Sequence, residues 1–218
     1  MKIAVLGTGN VGDTIGSKLV ELGHSVMMGS RTSSNEKGKA FVAKHSDKAS
    51  LGSFADAAAF GEIIFNCTAG SGSLEALKLA GENNLKGKII IDIANPLDFS
   101  KGMPPTLSIV NGNSLAEEIQ KTFPAANVVK ALNTMWCGLM VNPAMINGGD
   151  HSTFISGNDA DAKEKVKGIL KSFGNTKVPI TSTPFLSTFF NLPTSRPLYI
   201  TSAPFLNPFA SSKTSRIS

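Results

Sequence analysis

The chain has two cysteines, one tryptophan, one tyrosine and three histidines in 218 residues, and each scarcity removes a class of chemistry. Cys67 and Cys137 lie far apart, with neither a CxxC spacing nor histidine neighbours. That excludes a structural zinc site and a disulfide framework, and buried free thiols are expected instead. Tyr199 has no lysine four residues on, so a Tyr-Lys proton-donating pair is absent. His24, His45 and His151 fall at a strand start, a polar helix end and a loop, where solvated imidazoles are the expectation. No general acid emerges, and no metal is called for. No apolar run reaches the roughly 18 to 20 residues that span a bilayer. The start, MKIAVLGTGN, is interrupted by a glycine turn where a signal peptide would have its cleavage region, so a soluble, cytoplasmic chain is expected.

The net charge of +5 invites a nucleic-acid partner, but its distribution argues against one. From Asn175 onward Lys177, Arg196, Lys213 and Arg216 stand without a single acid, which leaves +1 for the first 174 residues. There is no basic stripe with interleaved aromatics of the kind that grips phosphate backbones.

What is present is an alternation of short apolar strands and helices. Lys2 to Leu6 is an apolar run, followed by the turn Gly7-Thr8-Gly9-Asn10-Val11-Gly12 and by Ile15, Leu19 and Leu22 at helical spacing. Gly23 closes that helix and Ser25 to Met28 forms the next strand. Further on, Glu36 to Lys44 suits an exposed helix, Glu62 to Asn66 a buried strand, Ser73 to Ala80 a helix and Lys88 to Ile91 a strand. Ser114 to Thr122 reads as a helix opened by a Ser114–Glu117 capping box, and Asn127 to Lys130 as a strand. A last pair, Thr153 to Ser156 and Asp159 to Phe173, extends the sheet. The pattern predicts an α/β fold: a doubly wound, mostly parallel sheet of the Rossmann type with helices on both faces. Residues 1–174 form this domain, and residues 175–218 a separate tail.

The glycine spacing carries the chemistry. Gly7 permits the tight turn, Gly9 lets the backbone approach a pyrophosphate, and Gly12 lets helix and strand pack closely. The helix opening at Asn10 offers free N–H groups to phosphates. A carboxylate is the usual partner of the adenosine ribose at the end of the second strand, but here the chain reads Gly29-Ser30-Arg31. Gly29 is expected to leave room, Ser30, Thr32, Ser33 and Ser34 to supply hydroxyls, and Arg31 to pair with a 2′-phosphate. NADP(H) is therefore the expected cofactor.

In such a sheet the ligand crosses the carboxyl ends of the strands. Loops after later strands, Cys67 to Gly70, Asp92 to Pro96 and Ala131 to Thr134, should border the nicotinamide. Asn95 and Asn133 are equally suited to orient a carboxamide or to cap a turn. The lack of an acid–base residue points to hydride transfer between two cofactors, in which positioning is the protein's main task.

Taken together, GTGNVG, the GSR segment, CTAGS, IIIDIANPLDF and VVKALNTM resemble the NADPH-dependent reductases of the deazaflavin coenzyme F420, over roughly residues 1–174. The resemblance implies that Thr8, Gly9, Asn10 and Val11 contact the pyrophosphate and that Ser30 and Arg31 take the 2′-phosphate. It also implies that the loops at Thr68–Ala69 and Asn95 approach the nicotinamide, with coenzyme F420 as second substrate. A similar domain is the NADPH-binding part of membrane metalloreductases, so a flavin, quinone or metal-chelate acceptor is the alternative, and a non-catalytic NADP(H) sensor the rival from another class. The resemblance also implies a homodimer, with a C-terminal helical segment that helps form it and one wall of the second-substrate site.

The tail does not match that segment. It holds six of the eleven prolines, fifteen Ser or Thr and five of thirteen Phe, with neither glycine nor acid. Proline at this density forbids a regular helix. The composition suits an extended arm, and it is equally the pattern that a shift of reading frame leaves behind.

Overall fold

The computed structural model describes residues 1–109 and 113–180. In chain order the elements are β1 (Lys2–Leu6), α1 (Asn10–Glu21), β2 (Ser25–Ser30), α2 (Glu36–His45), β3 (Ala49–Ser53), α3 (Phe54–Phe60), β4 (Ile63–Asn66), α4 (Ser73–Ala80) and α5 (Glu82–Leu85). They continue with β5 (Ile89–Asp92), the two-residue strands β6 (Leu97–Asp98) and β7 (Thr106–Leu107), α6 (Leu115–Thr122), β8 (Asn127–Ala131), α7 (Cys137–Val141), β9 (Ile155–Gly157) and α8 (Ala160–Ser172). Among the described residues one seven-stranded sheet runs in the order β3-β2-β1-β4-β5-β8-β9, and β6 and β7 form a separate antiparallel pair.

The apolar runs at β4 and β5 are buried at every position, as strands covered on both faces must be. Because successive side chains alternate between faces, one run feeds two cores. Ile3, Val5, Phe65, Ile91 and Val129 pack with Ile15 and Leu19 of α1, Phe41 of α2 and Val166 and Leu170 of α8. Ala4, Leu6, Ile64, Ile90 and Val128 face Phe54 and Ala57 of α3, Leu77 of α4 and Ile119 of α6. The switch in strand order between β1 and β4 opens a crevice at the carboxyl ends of the sheet, which is where a doubly wound fold takes its ligand.

The fold differs from the expected pattern in several places. β9 pairs antiparallel with β8, so the sheet is parallel except at this edge. β3 and α3 have no counterpart in the predicted elements: Ala-Ser-Leu-Gly-Ser lacks an apolar run, and α3 is a seven-residue, alanine-rich helix. The capping box expected at Ser114 is only half built. Ser114 Oγ accepts from the Glu117 N–H at 3.2 Å, but the Ser114 N–H donates to Asn113 Oδ1 at 2.9 Å. Glu117 Oε2 is buried with no hydrogen-bond partner among the described residues. The complete box stands at α3, where Ser53 and Asp56 bond reciprocally.

Packing does not stop at Gly174. Asn175 is 2% exposed; it accepts from Thr153 Oγ1 at 2.7 Å and donates to Met140 O at 3.0 Å. Val178 is buried, and bridges join Lys177 to Ser152 and Ile180 to Ile155. The rest of the expected tail, with Tyr199 and all five of its phenylalanines, lies outside the described residues.

Candidate functional site

The turn after β1 is held by contacts between main chains. Gly7 takes φ +112°, a left-handed value that disfavours side chains, and its N–H donates to Gly29 O at 2.8 Å. A Cβ on Gly7 would stand 2.6 Å from Cys67 O, and one on Gly12 would stand 1.9 Å from Gly7 O. Gly9 differs: a Cβ there would meet nothing within 4 Å. Gly9 is also the N-cap of α1 and has no side chain to satisfy the first N–H groups of that helix. The turn thus has two glycines fixed by protein packing and one facing open space, with donors directed outward beside it.

At the end of β2, Ser30 is 5% exposed and its hydroxyl donates to Thr32 O. Arg31 is exposed and forms no ion pair with an acid among the described residues. Asn35 caps α2, its Oδ1 accepting from the Gly38 N–H at 3.0 Å. The room expected at Gly29 does not open toward a ligand. Its missing side chain makes space for Leu6 Cδ2 and the Ala57 Cβ, which would lie 2.7 and 2.9 Å from an added Cβ. Gly29 therefore serves the packing of α3, a helix the sequence pattern did not reveal.

These segments border a cleft of about 320 Å³. Of the expected site residues, Gly7, Thr8, Gly9, Ser30, Arg31, Thr68 and Ala69 line it, whereas Asn10, Val11, Gly12, Ser33, Asn95 and Asn133 do not. Asn10 to Gly12 form the first turn of α1 behind Gly9, and Ser33 is exposed on the outer loop. Asn95 and Asn133 bind each other: Asn95 Nδ2 donates to Asn133 O at 2.8 Å and Asn133 Nδ2 to Asn95 Oδ1 at 3.2 Å. Asn133 follows Leu132, which is buried with φ +62°. Sequence reasoning missed Phe54, Gly72, Glu75, Ala76 and Leu79, which also line the cleft. Phe54 went with the unrecognised α3, and the others lie at or on α4, whose apolar periodicity shows a helix but not which side meets a ligand.

Beneath the loop after β4 lies a buried polar row. Asn66, Asp92 and Lys130 are in register across β4, β5 and β8, at the carboxyl ends of the strands. Asn66, Asp92 and Ser73 are fully buried. Lys130 Nζ lies 2.8 Å from Asp92 Oδ2 and also donates to Ala94 O. Asp92 Oδ1 accepts from Asn66 Nδ2 at 2.8 Å and from the Ala94 N–H at 3.2 Å. Asn66 Nδ2 also donates to Ser73 Oγ at 3.1 Å, Thr68 Oγ1 donates to Asn66 Oδ1 at 2.7 Å, and the Thr68 and Ser73 hydroxyls lie 2.8 Å apart. Cys67 and Cys137 are free thiols but half-buried rather than buried as expected, and Cys67 lines the cleft. Burial, followed by the nearby Asp92 charge, pushes its thiol far up, so it is no nucleophile at neutral pH.

The histidines stand elsewhere: His24 against the N-terminal amine, His45 on Ser17 Oγ at 2.8 Å, and His151 on Pro143 O at 3.1 Å. None lines the cleft. No helix among the described residues is long and apolar enough to cross a membrane.

The family model for coenzyme F420-dependent NADP oxidoreductases matches residues 2–96. The rat Metalloreductase STEAP3 is 27% identical over 183 residues, covering 83% of this chain, which spans 34% of that relative's length. The F420-dependent NADP reductase of Methanocaldococcus jannaschii is 29% identical over 175 residues, covering 76% of this chain and 77% of its own. A crystal structure from Arthrobacter sp. FB24, provisionally named an F420-dependent NADP-reductase, is 52% identical and superposes with a TM-score of 0.79, covering 83% of this chain and 84% of its own. With that identity over that share of both chains, and the crevice lying where the family model matches, the chain belongs to the coenzyme F420-dependent family of NADP oxidoreductases.

Proposed function

We propose that this chain binds NADP(H) in the crevice and transfers a hydride between its nicotinamide and a flat acceptor, coenzyme F420 in the first instance. One observation carries the reading: Arg31 stands at the lip of the cleft, without an ion pair among the described residues, where a carboxylate would select NADH. A 2′-phosphate would satisfy its guanidinium through charge-assisted bonds, with Thr32 adding a hydroxyl. The open space over Gly9 and the uncapped start of α1 suit a pyrophosphate. Bound NADP(H) supplies the hydride chemistry. The chain's tasks are to grip the dinucleotide at both ends and to present the carboxyl end of the sheet to the acceptor. The names of the Methanocaldococcus and Arthrobacter relatives support F420 as that acceptor.

The likeness to the rat metalloreductase favours a metal chelate as acceptor in a second reading, in which flavin and quinone are the other candidates. A cytoplasmic homodimer completes the proposal. The exposed apolar residues Met103, Trp136, Met145 and Ile146 offer surface for such contact. The experiment is an acceptor screen with F420, flavin, quinone and ferric chelate, followed by loss of NADPH absorbance. Turnover with F420 supports the first reading, turnover with flavin or chelate alone supports the second, and NADPH binding without turnover on any acceptor leaves a sensor.

A further inference from the structure

The buried row beneath the cleft fixes which way every proton in it points. Asp92 is paired with the Lys130 ammonium and, as a carboxylate, can only accept. The atom of Asn66 that faces it at 2.8 Å must therefore be the amide nitrogen, because the carbonyl oxygen would confront a like charge. That places Asn66 Oδ1 toward Thr68, whose main-chain N–H reaches it at 3.5 Å and whose hydroxyl lies 2.7 Å away; two oxygens this close need a proton between them, and since the amide oxygen has none, the Thr68 hydroxyl supplies it. With that proton committed, the Ser73 proton bridges the 2.8 Å contact between the two hydroxyls, in preference to the Ala69 carbonyl at 3.3 Å, because the shorter oxygen pair would otherwise meet lone pair to lone pair. Ser73 in turn accepts from the second amide hydrogen of Asn66. Asn66, Ser73 and Thr68 thus close a ring in which each donates to the next, and its sense is set by Asp92.

Thr68 is the one member of this ring that lines the cleft. Its proton is consumed inside, so its hydroxyl meets the ligand with a lone pair alone. We infer that Thr68 is a specificity-determining acceptor, oriented by Asp92 acting through Asn66, that takes an O–H or N–H donor from the ribosyl-nicotinamide half of NADP(H). A phosphate oxygen would meet lone pair with lone pair, so the Thr68 hydroxyl does not hold the pyrophosphate. Two donors share this chemistry, the ribose hydroxyl and the carboxamide N–H. The inference rests on the NADP(H) reading above.

The test measures dissociation constants by calorimetry for the full chain and its T68V, T68S, D92N and T68V/D92N variants, with NADPH and with its 3-acetylpyridine analogue, which lacks the carboxamide N–H. T68V keeps shape and loses the acceptor, leaving a ligand donor unpaired, so NADPH should bind about tenfold more weakly, with T68S recovering most of the loss. An equal loss for both ligands assigns the ribose hydroxyl; a loss for NADPH alone assigns the carboxamide. D92N frees Asn66 to turn over, which converts Thr68 from acceptor to donor. It should weaken binding in the wild type and add nothing in the T68V background, a coupling that a merely structural role would not produce. T68V binding NADPH within about twofold of a wild type that binds it well would overturn this inference while leaving the parent reading intact. A wild type that does not bind NADPH would overturn both.

Discussion

Lys130 Nζ and Asp92 Oδ2 are 2.8 Å apart at neighbouring strand ends, with the acid wholly buried and the base 13% exposed. Each offsets the desolvation of the other, and removing either leaves a charge without its counter-ion. Lys130→Met should lower the unfolding free energy by about 3 to 5 kcal/mol, and adding Asp92→Asn should recover part of that loss. Urea denaturation measures both. A single variant within about 1 kcal/mol of the wild type would mean that water already reaches the pair.

Arg31 forms no ion pair with an acid among the described residues, which leaves its guanidinium open to an anion. Its replacement by alanine should cost about 1.5 to 3 kcal/mol of NADPH affinity and leave NADH affinity within about threefold, since only NADPH carries the 2′-phosphate. Titration of both cofactors against both proteins checks this. Equal preference in the unmodified chain would sink the assignment.

Gly9 and Gly12 should respond to valine in opposite ways. Open space over Gly9 admits the side chain, so G9V should keep its melting temperature and lose NADPH binding. At Gly12 the added carbon would lie 1.9 Å from a main-chain oxygen, so G12V should damage the fold before any ligand is present. Thermal melts with and without NADPH separate the two. A G9V chain with unchanged affinity would place the pyrophosphate elsewhere.

These contrasts show what a linear sequence exposes. Gly7, Gly9 and Gly12 were legible because their spacing is local and each role follows from backbone geometry. Strands β1, β4 and β5 were legible because burial on both faces writes a nearly continuous apolar run, and β8 by its Val128-Val129 pair. The helix α3 was not, since its few small residues make no moment of their own and matter through Leu6 and Gly29, partners distant in sequence. Asn95 and Asn133 could be placed on loops, but their hydrogen bonds to each other join the ends of two strands that lie far apart in sequence. The row Asn66, Asp92, Lys130 is readable only once the register of three parallel strands is known. Each of the three alone looks like a surface residue that ends a strand.

His24 and His45 contribute to the acid side of stability. Burial is the main cause that lowers both values in the folded chain, helped by the N-terminal amine and Lys48 at His24, and by Lys44 at His45 against an opposing Asp13. As pH falls from about 6.5 the unfolded chain takes up these protons first, so stability is fully present above that value and declines through the folded values below it. Melting temperature should therefore drop between about pH 7 and 5, and less steeply in a His24→Gln, His45→Gln double variant. The same double variant should transfer hydride within about tenfold of wild type, because neither ring lines the cleft. A thousandfold loss would reveal a proton donor.

The reciprocal amide pair between Asn95 and Asn133 also ties the loop after β5 to the loop after β8. Gly70, in the loop after β4, lies so close to the Asn95 carbonyl that a Cβ would come within 2.2 Å of it. Three loops that a doubly wound sheet leaves separate are thus interlocked sideways. Local opening of any one of them must break the seam with its neighbour, so their amides should exchange with solvent as one cooperative unit, at one rate and with one urea dependence. Gly70→Ala would wedge that unit apart from the β4 side and let Asn133 exchange faster, though it lies two strands away. The crevice floor should then open as a single plate rather than loop by loop.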